Sequence, residues 1–314
     1  MLNDDMTILG RTVKRGESAF LELEVAKLHT RNSIKISIIV ERAEKAGPTL
    51  LLMAGIHGDE VNGVAIVRDI IRRGYNKPTR GTIICIPVFN VFGYLNLTRE
   101  FPDGRDLNRV FPGSAKGSLA SQFAFKFTQE IAPLVDYVID FHTGGALREN
   151  YPNVRCVFKQ EKTLELAKVF DAPFIVHSNY IAKSLRITMD KMGKTILLFE
   201  GGKSNSLDPF VVDTGVKGAL NVIRHLKMST GKSKVRKGSQ LIKKSSWIRA
   251  PYSGMFQFHI KNGTYVTKKT IIGTITDPYG EFEKEIKAKH DCFIFGINNA
   301  PVVHKGDALF HVSE

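Results

Sequence analysis

Apolar and polar residues alternate in FLELEV (20–25) and in IKISIIV (34–40). This two-residue period predicts a pair of antiparallel strands, each with one face buried. The alternation stops at TLLLMAG (49–55), a continuous apolar run that predicts a strand covered on both faces. A helical period follows over 61–73. It places Val61, Val64, Ala65, Val67, Ile70 and Ile71 on one face, with Arg68, Asp69, Arg72 and Arg73 on the other.

The same strand–helix rhythm continues downstream. TIICIPVF (from 82), DYVIDF (from 136), VRCVF (from 154), FIVH (from 174) and TILLFE (from 195) read as strands. Helices are expected at 118–132 with Ser118 as N-cap, at 161–170, at 184–192 and at 213–227. Alternation over this length predicts an α/β sheet between helices. After Met228 the chain turns polar and basic, and from Trp247 it breaks into short strands punctuated by Gly, Pro, Asn and Asp. Within this last part NGTYVTKKTIIGTI (262–275) and NAPVVHKGDALFHV (299–312) form a weak repeat, which suggests a compact all-β unit. The expected division is a catalytic domain over 1–230, a basic linker over 231–246 and a β-rich domain over 247–314.

Composition adds limits. At 314 residues, 43% hydrophobic and 24% charged, the chain resembles a soluble globular protein, and no apolar stretch has the length of a membrane span. The N-terminal MLNDDMTILG lacks the basic-then-apolar order of a signal peptide. Cys85, Cys156 and Cys292 are odd in number and show no CxxC spacing, which argues against a disulfide framework and a cysteine-built zinc site and fits a reducing cytoplasm. The net charge of +14 raises nucleic-acid binding. Much of the excess, however, lies in Arg224, Lys232, Lys234, Arg236, Lys237, Lys243, Lys244 and Arg249, without interleaved aromatics. A solvated basic linker, or a field that draws small anions to a cleft, explains the charge better.

Chemistry concentrates at strand ends beside glycines. GIHGDE (55–60) lies where a buried strand gives way to a helix, and its three-residue spacing lets His57 and Glu60 aim at one point. HxxE alone is commonly an exposed helix start, so a third ligand is required. FHTGG (141–145) offers His142 at the rim of another strand, where open α/β sheets bind ligands. Asp140, two residues earlier on the same face, can accept a hydrogen bond from that imidazole. LLFEGG (197–202) repeats the arrangement with Glu200. The loop TREFPDGRDLNRVFPG (98–113) carries Arg99, Arg105, Asn108 and Arg109, donors suited to a carboxylate.

GIHGDE, DGRDLNRVFPG, DFHTGG and FEGG, in this order, resemble the succinylglutamate desuccinylase/aspartoacylase family, over roughly residues 45–230. The resemblance implies a zinc-carboxypeptidase-like α/β fold: a mixed central sheet flanked by helices, with a small C-terminal all-β domain of barrel-sandwich type. It implies one Zn2+ per chain held by His57, Glu60 and His142. Glu200 is then the general base and later the proton donor to the leaving amine. Arg99 polarises the scissile carbonyl, with Arg105 as its substitute, and Arg105, Asn108 and Arg109 form the substrate-binding set. The implied substrate is a small anionic N-acyl amino acid, and a homo-oligomer is compatible with the β domain. Two other readings share these residues. One is a metallocarboxypeptidase acting on a small peptide, with Tyr180, Arg186 and His177 shaping a deeper pocket. The other is a non-catalytic anion-binding protein that retains the fold without metal.

Overall fold

The computed structural model of the chain describes residues 5–27, 31–235 and 238–314. The first four residues of the N-terminal segment, and Arg236 and Lys237 of the basic segment, lie outside the described residues. A short hairpin of β1 (Met6–Ile8) and β2 (Arg11–Val13) leads into the two alternating segments, β3 (Ser18–Lys27) and β4 (Ser33–Arg42). These pair antiparallel, with Leu21 and Leu23 turned into the core. The apolar run is β5 (Thr49–Ala54), buried at every residue. Helix α1 (Val61–Arg72) then crosses to β6 (Thr82–Ile86), which lies parallel to β5.

After β6 come α2 (Val91–Asn96), α3 (Leu119–Glu130) and β7 (Tyr137–Gly144), the last parallel to β5 on its other edge. Ser118 caps α3 as expected, its hydroxyl accepting from the Ser121 amide. β8 (Arg148–Cys156), α4 (Glu161–Phe170), β9 (Phe174–His177), α5 (Leu185–Lys191), β10 (Thr195–Lys203) and α6 (Pro209–His225) complete this part. Adjacent β6, β5, β7 and β10 run parallel, while β4 and β8 join them antiparallel. The mixed sheet flanked by helices is therefore present. One apolar layer packs Phe89, Phe123 and Phe127 with α3, and the other packs Ile66, Phe170 and Val222 from α1, α4 and α6.

Three local expectations need correction. The buried face of α1 runs through Asn62, Gly63, Ile66, Val67 and Ile70, so Ile66 belongs to it and Val64 and Ala65 lie at its edge. Helix α6 starts at Pro209, not near 213, because the Asp208 carboxylate accepts from the amides of Phe210 and Val211 and proline suits the first helical turn. β8 begins at Arg148, six residues before the apolar VRCVF segment.

Inside the segment 231–246, read from sequence as a linker, β11 (Gln240–Ile242) pairs in parallel with β9. Beyond it lie β12 (Ser245–Arg249), β13 (Gly254–Phe258), β14 (Tyr265–Val266), β15 (Ile271–Thr276), β16 (Glu283–Lys287), β17 (Cys292–Asn298), β18 (Val302–Val303) and β19 (Ala308–Ser313). The two repeat segments supply β14–β15 and β18–β19, and each turns through a residue of positive φ, Lys269 and Gly306. β16, β15, β13 and β18 form a separate sheet. β12, β19 and β17 instead extend the main sheet, because β17 pairs with β8. Among the described residues no helix is long and apolar enough to cross a membrane.

Candidate metal and substrate site

The C-terminal ends of β5, β7 and β10 meet at one rim. His142 on β7 and Glu200 on β10 are direct partners in the parallel register, and β5 ends one strand further along. The GIHGDE turn beyond β5 comes so close to α2 that a Cβ at Gly58 would overlap the Gly93 backbone, so glycine is obligatory there. That turn carries His57 and Glu60 into a cavity of about 570 Å³ shared with His142 and Glu200.

His57, Glu60 and His142 are buried, and their ligating atoms all lie within 4.8 Å of one another. Glu60 joins the two imidazoles, with His57 Nδ1 at 2.7 Å from Oε1 and His142 Nδ1 at 2.9 Å from Oε2. The Thr143 amide also donates to Oε2, at 3.1 Å. The far ring nitrogens face carboxylates: His142 Nε2 lies 2.8 Å from Asp140 and His57 Nε2 lies 3.2 Å from Asp106. Each outer carboxylate favours a proton on Nε2, which leaves both Nδ1 atoms as the inward lone-pair donors. Two imidazole nitrogens and one carboxylate, so oriented, could together hold a divalent metal ion.

The electrostatics of the cluster are mutual. Burial opposes charge on both imidazoles, but Glu60 with Asp106 holds His57 above its usual pKa, and Asp140 with Glu60 holds His142 well above it. Burial likewise pushes Glu60 up, and the two histidines outweigh it and leave the carboxyl below its usual range. The same balance holds at Asp106, where the His57 hydrogen bond and the Arg99 charge prevail over burial.

Arg99 lines this cluster. Its Nη2 donates to Asp106 at 2.8 Å and its Nη1 to Glu60 at 3.3 Å, so its charge sits beside the ligand set. Asn108 and Arg109 also line the cavity. The Asn108 side-chain oxygen accepts from the Leu185 amide at the start of α5, which leaves its amide nitrogen for a ligand. Arg105 is not brought to the site: it is exposed, and its guanidinium turns back to Asp103 within the same loop. Arg186, by contrast, lies in the cavity, donating to the Ser178 carbonyl and resting over Tyr180. His177 instead accepts from the Phe158 amide.

Several cavity residues were not singled out from sequence. Asp106 had a usable signal, an acid in an arginine-rich DLN turn. Asn150 donates to Glu200 Oε2 at 2.8 Å, and Arg155 Nε lies 3.7 Å from Oε1. Trp247 and His311 enter from the C-terminal strands, and nothing local in the sequence marks them.

Residues 46–226 match the sequence model of the succinylglutamate desuccinylase/aspartoacylase catalytic domain. The chain belongs to this family. As a member of the succinylglutamate desuccinylase/aspartoacylase family it is 28% identical over 290 residues to the N-alpha-acetyl-L-2,4-diaminobutyric acid deacetylase of Halomonas elongata, covering 88% of this chain and 84% of that one. Its fold is similar to the succinylglutamate desuccinylase/aspartoacylase structure from Rhodobacter sphaeroides, with a TM-score of 0.84, 25% identity and 96% of each chain covered. It is also similar to the product-bound ectoine utilization protein EutE (DoeB) of Ruegeria pomeroyi, with a TM-score of 0.84, 23% identity, and 99% and 98% of the two chains covered. The family and the Halomonas relative are deacylases by name.

Proposed function

We propose that the protein is a zinc-dependent hydrolase of N-acyl amino acids, converting the amide and water to a carboxylate and a free amine. The observation that carries this reading is the convergence of two oriented imidazoles and Glu60 beside the Glu200 carboxylate. A divalent ion held by His57, Glu60 and His142 supplies Lewis-acid polarisation and lowers the pKa of bound water toward about 7. Glu200 takes the proton of the attacking water and returns it to the leaving nitrogen, and Asn150 holds one carboxylate oxygen still while it does so. Arg99 offers a fixed positive charge where the carbonyl oxygen becomes negative. Asn108 and Arg109 hold the substrate α-carboxylate. Five arginines line the cavity (Arg99, Arg109, Arg148, Arg155 and Arg186), which supports a small anionic substrate. Residues 1–230 then form the catalytic unit and 247–314 the β unit. The buried free cysteines, with Cys156 pushed up to about 12 by burial, suit a reaction in the cytoplasm.

The test is turnover of a panel of N-acyl amino acids and of dipeptides by zinc-loaded protein. Acyl-amide hydrolysis is expected, abolished by a chelator and restored by zinc. Cleavage of dipeptides alone, or turnover that persists after complete metal removal, refutes the reading. The outer carboxylates give a second prediction. Asp106→Asn removes the anion that orients His57, so metal affinity should fall by about 10–100-fold. Competition with a chromogenic chelator measures it, and wild-type affinity in the variant would show that Asp106 does not act through the ligand.

A further inference from the structure

Two side chains of β8 address the Glu200 carboxylate, one oxygen each. The Asn150 amide donates to Oε2 at 2.8 Å, and the Arg155 Nε lies 3.7 Å from Oε1. The contacts differ in kind. The first is a hydrogen bond that occupies its oxygen. The second is beyond hydrogen-bond reach, and the buried Arg155 Nε has no hydrogen-bond partner among the described residues. Oε1 therefore sits beside a fixed positive charge and keeps its lone pairs open to water.

The register of the sheet produces this two-sided grip. Leu198 pairs with Arg155, Glu200 with Asn153 and Gly202 with Asn150, so Arg155 and Asn150 are the diagonal neighbours of Glu200, one on each side. Diagonal neighbours are within reach of long side chains. Asn153, directly opposite, turns its amide to the carbonyls of Tyr151 and Glu200 instead. Asn150 and Arg155 would lie on opposite faces of a regular strand. They line one cavity because the step from Asn153 to Asn150 takes three residues of β8 against two of β10, a β-bulge that reverses the alternation.

The C-terminal strands close on this pair from behind. Gly296 on β17 lies opposite both Asn150 and His311, and a Cβ there would come 2.9 Å from the His311 Cβ and 3.3 Å from the Asn150 side-chain oxygen. Glycine thus lets the wall approach. His311 stacks flat on Trp247, with centroids 4.6 Å apart and planes 8° apart, and its Nε2 is held by Ser245. Burial and the neighbouring Arg155 push His311 down to about 3, so the wall is neutral at physiological pH. Among the described residues Glu200 is the one carboxylate paired with Arg155.

We propose that Arg155 is a positioning residue for Glu200, and that with Asn150 it fixes the carboxylate so that Oε1 is the oxygen that carries the proton. The inference rests on the deacylase reading and refines the step assigned to Glu200. The terminal torsion of a glutamate is broad and roughly two-fold, so an unclamped carboxylate would exchange its oxygens. One hydrogen bond and one charge on opposite sides remove that freedom. As the water oxygen bonds to the carbonyl carbon, a water O–H bond breaks and an Oε1–H bond forms. As the amide C–N bond breaks, its electron pair stays on nitrogen, the Oε1–H bond breaks and the new N–H bond forms. Oε2 stays with Asn150 throughout.

The test compares the zinc-loaded full chain with Arg155→Met and Arg155→Lys, on the N-acyl amino acid that the wild type hydrolyses fastest. Methionine keeps an unbranched side chain and drops the charge. Its kcat should fall by about 100-fold, with zinc content unchanged and KM within about threefold. Lysine returns the charge without the guanidinium fork and should bring kcat to within about tenfold of wild type. Arg155→Gln takes the place of the methionine variant if that chain fails to fold. Unchanged kcat, a loss that falls on KM alone, or an equal loss with methionine and lysine overturns the positioning role. Crystal structures of the same variants read the geometry without turnover. The Glu200 carboxylate should move by about 1 Å or take two orientations in Arg155→Met, and keep its place in Arg155→Lys. A Glu200 that stays fixed in Arg155→Met overturns the proposal whatever the rates. Wild-type protein that hydrolyses no N-acyl amino acid sinks the deacylase reading, and the crystal structures then decide the positioning role alone.

Discussion

Glu200→Gln should retain a full equivalent of zinc yet lose about 10²–10⁴ in kcat, the range that a positioned acid–base group contributes. The two halves of this result follow from separate features. Glu200 lies outside the ligand set, so the His57, Glu60 and His142 donors are untouched by the change. Glutamine keeps an oxygen for the Asn150 amide to bind, so the side chain can hold its place. What disappears is a group that accepts a proton from water and gives one to nitrogen. Because that interaction belongs to the transition state, kcat and kcat/KM should fall together, with little change in KM. Metal analysis and steady-state kinetics on one preparation check both halves. A variant with zinc and near-normal turnover would remove Glu200 from the chemistry. Parallel loss of zinc and activity would instead make it a determinant of the metal site.

The residues whose position depends on local pattern were legible in the sequence. The rim positions of His57, His142 and Glu200 follow from apolar runs that end at glycines, since such runs must be interior strands and their ends must reach the sheet edge. Asp140 follows from two-residue periodicity and does face His142. Errors arose where a neighbour in space decides. Ile66 faces the core because α6 packs against that side of α1, where a Cβ on Gly215 would overlap Ile66. Arg105 and Arg109 look alike in the loop, and only the turn toward Asp103 removes the first from the cavity. The wall of Trp247 and His311 depends on β17 pairing with β8 across more than a hundred residues of chain. A β-bulge decides which β8 side chains face it. Neither pairing nor bulge leaves a periodic trace.

Glu60→Ala should abolish both metal binding and the stability that metal confers. Of the three proposed ligands, Glu60 is the one whose carboxylate bridges both imidazoles, and it also accepts the Thr143 amide. Removing it deletes a donor and the anion between two imidazoles whose raised pKa values depend partly on it. In the wild-type chain those raised values set the sign of the pH dependence. His57 and His142 must lose protons to bind metal, so affinity should rise with pH until both are neutral. At a free metal concentration a thousandfold above Kd, binding stabilises the wild type by about 4 kcal/mol, and a chelator should reverse this. The alanine variant should bind less than a tenth of an equivalent, roughly, and unfold at the same temperature with or without chelator. Plasma emission analysis and paired thermal melts check this. A chelator-sensitive melt in Glu60→Ala would mean that the stabilising ion sits elsewhere in the chain, and the whole assignment of His57 and His142 to one centre would have to be redrawn.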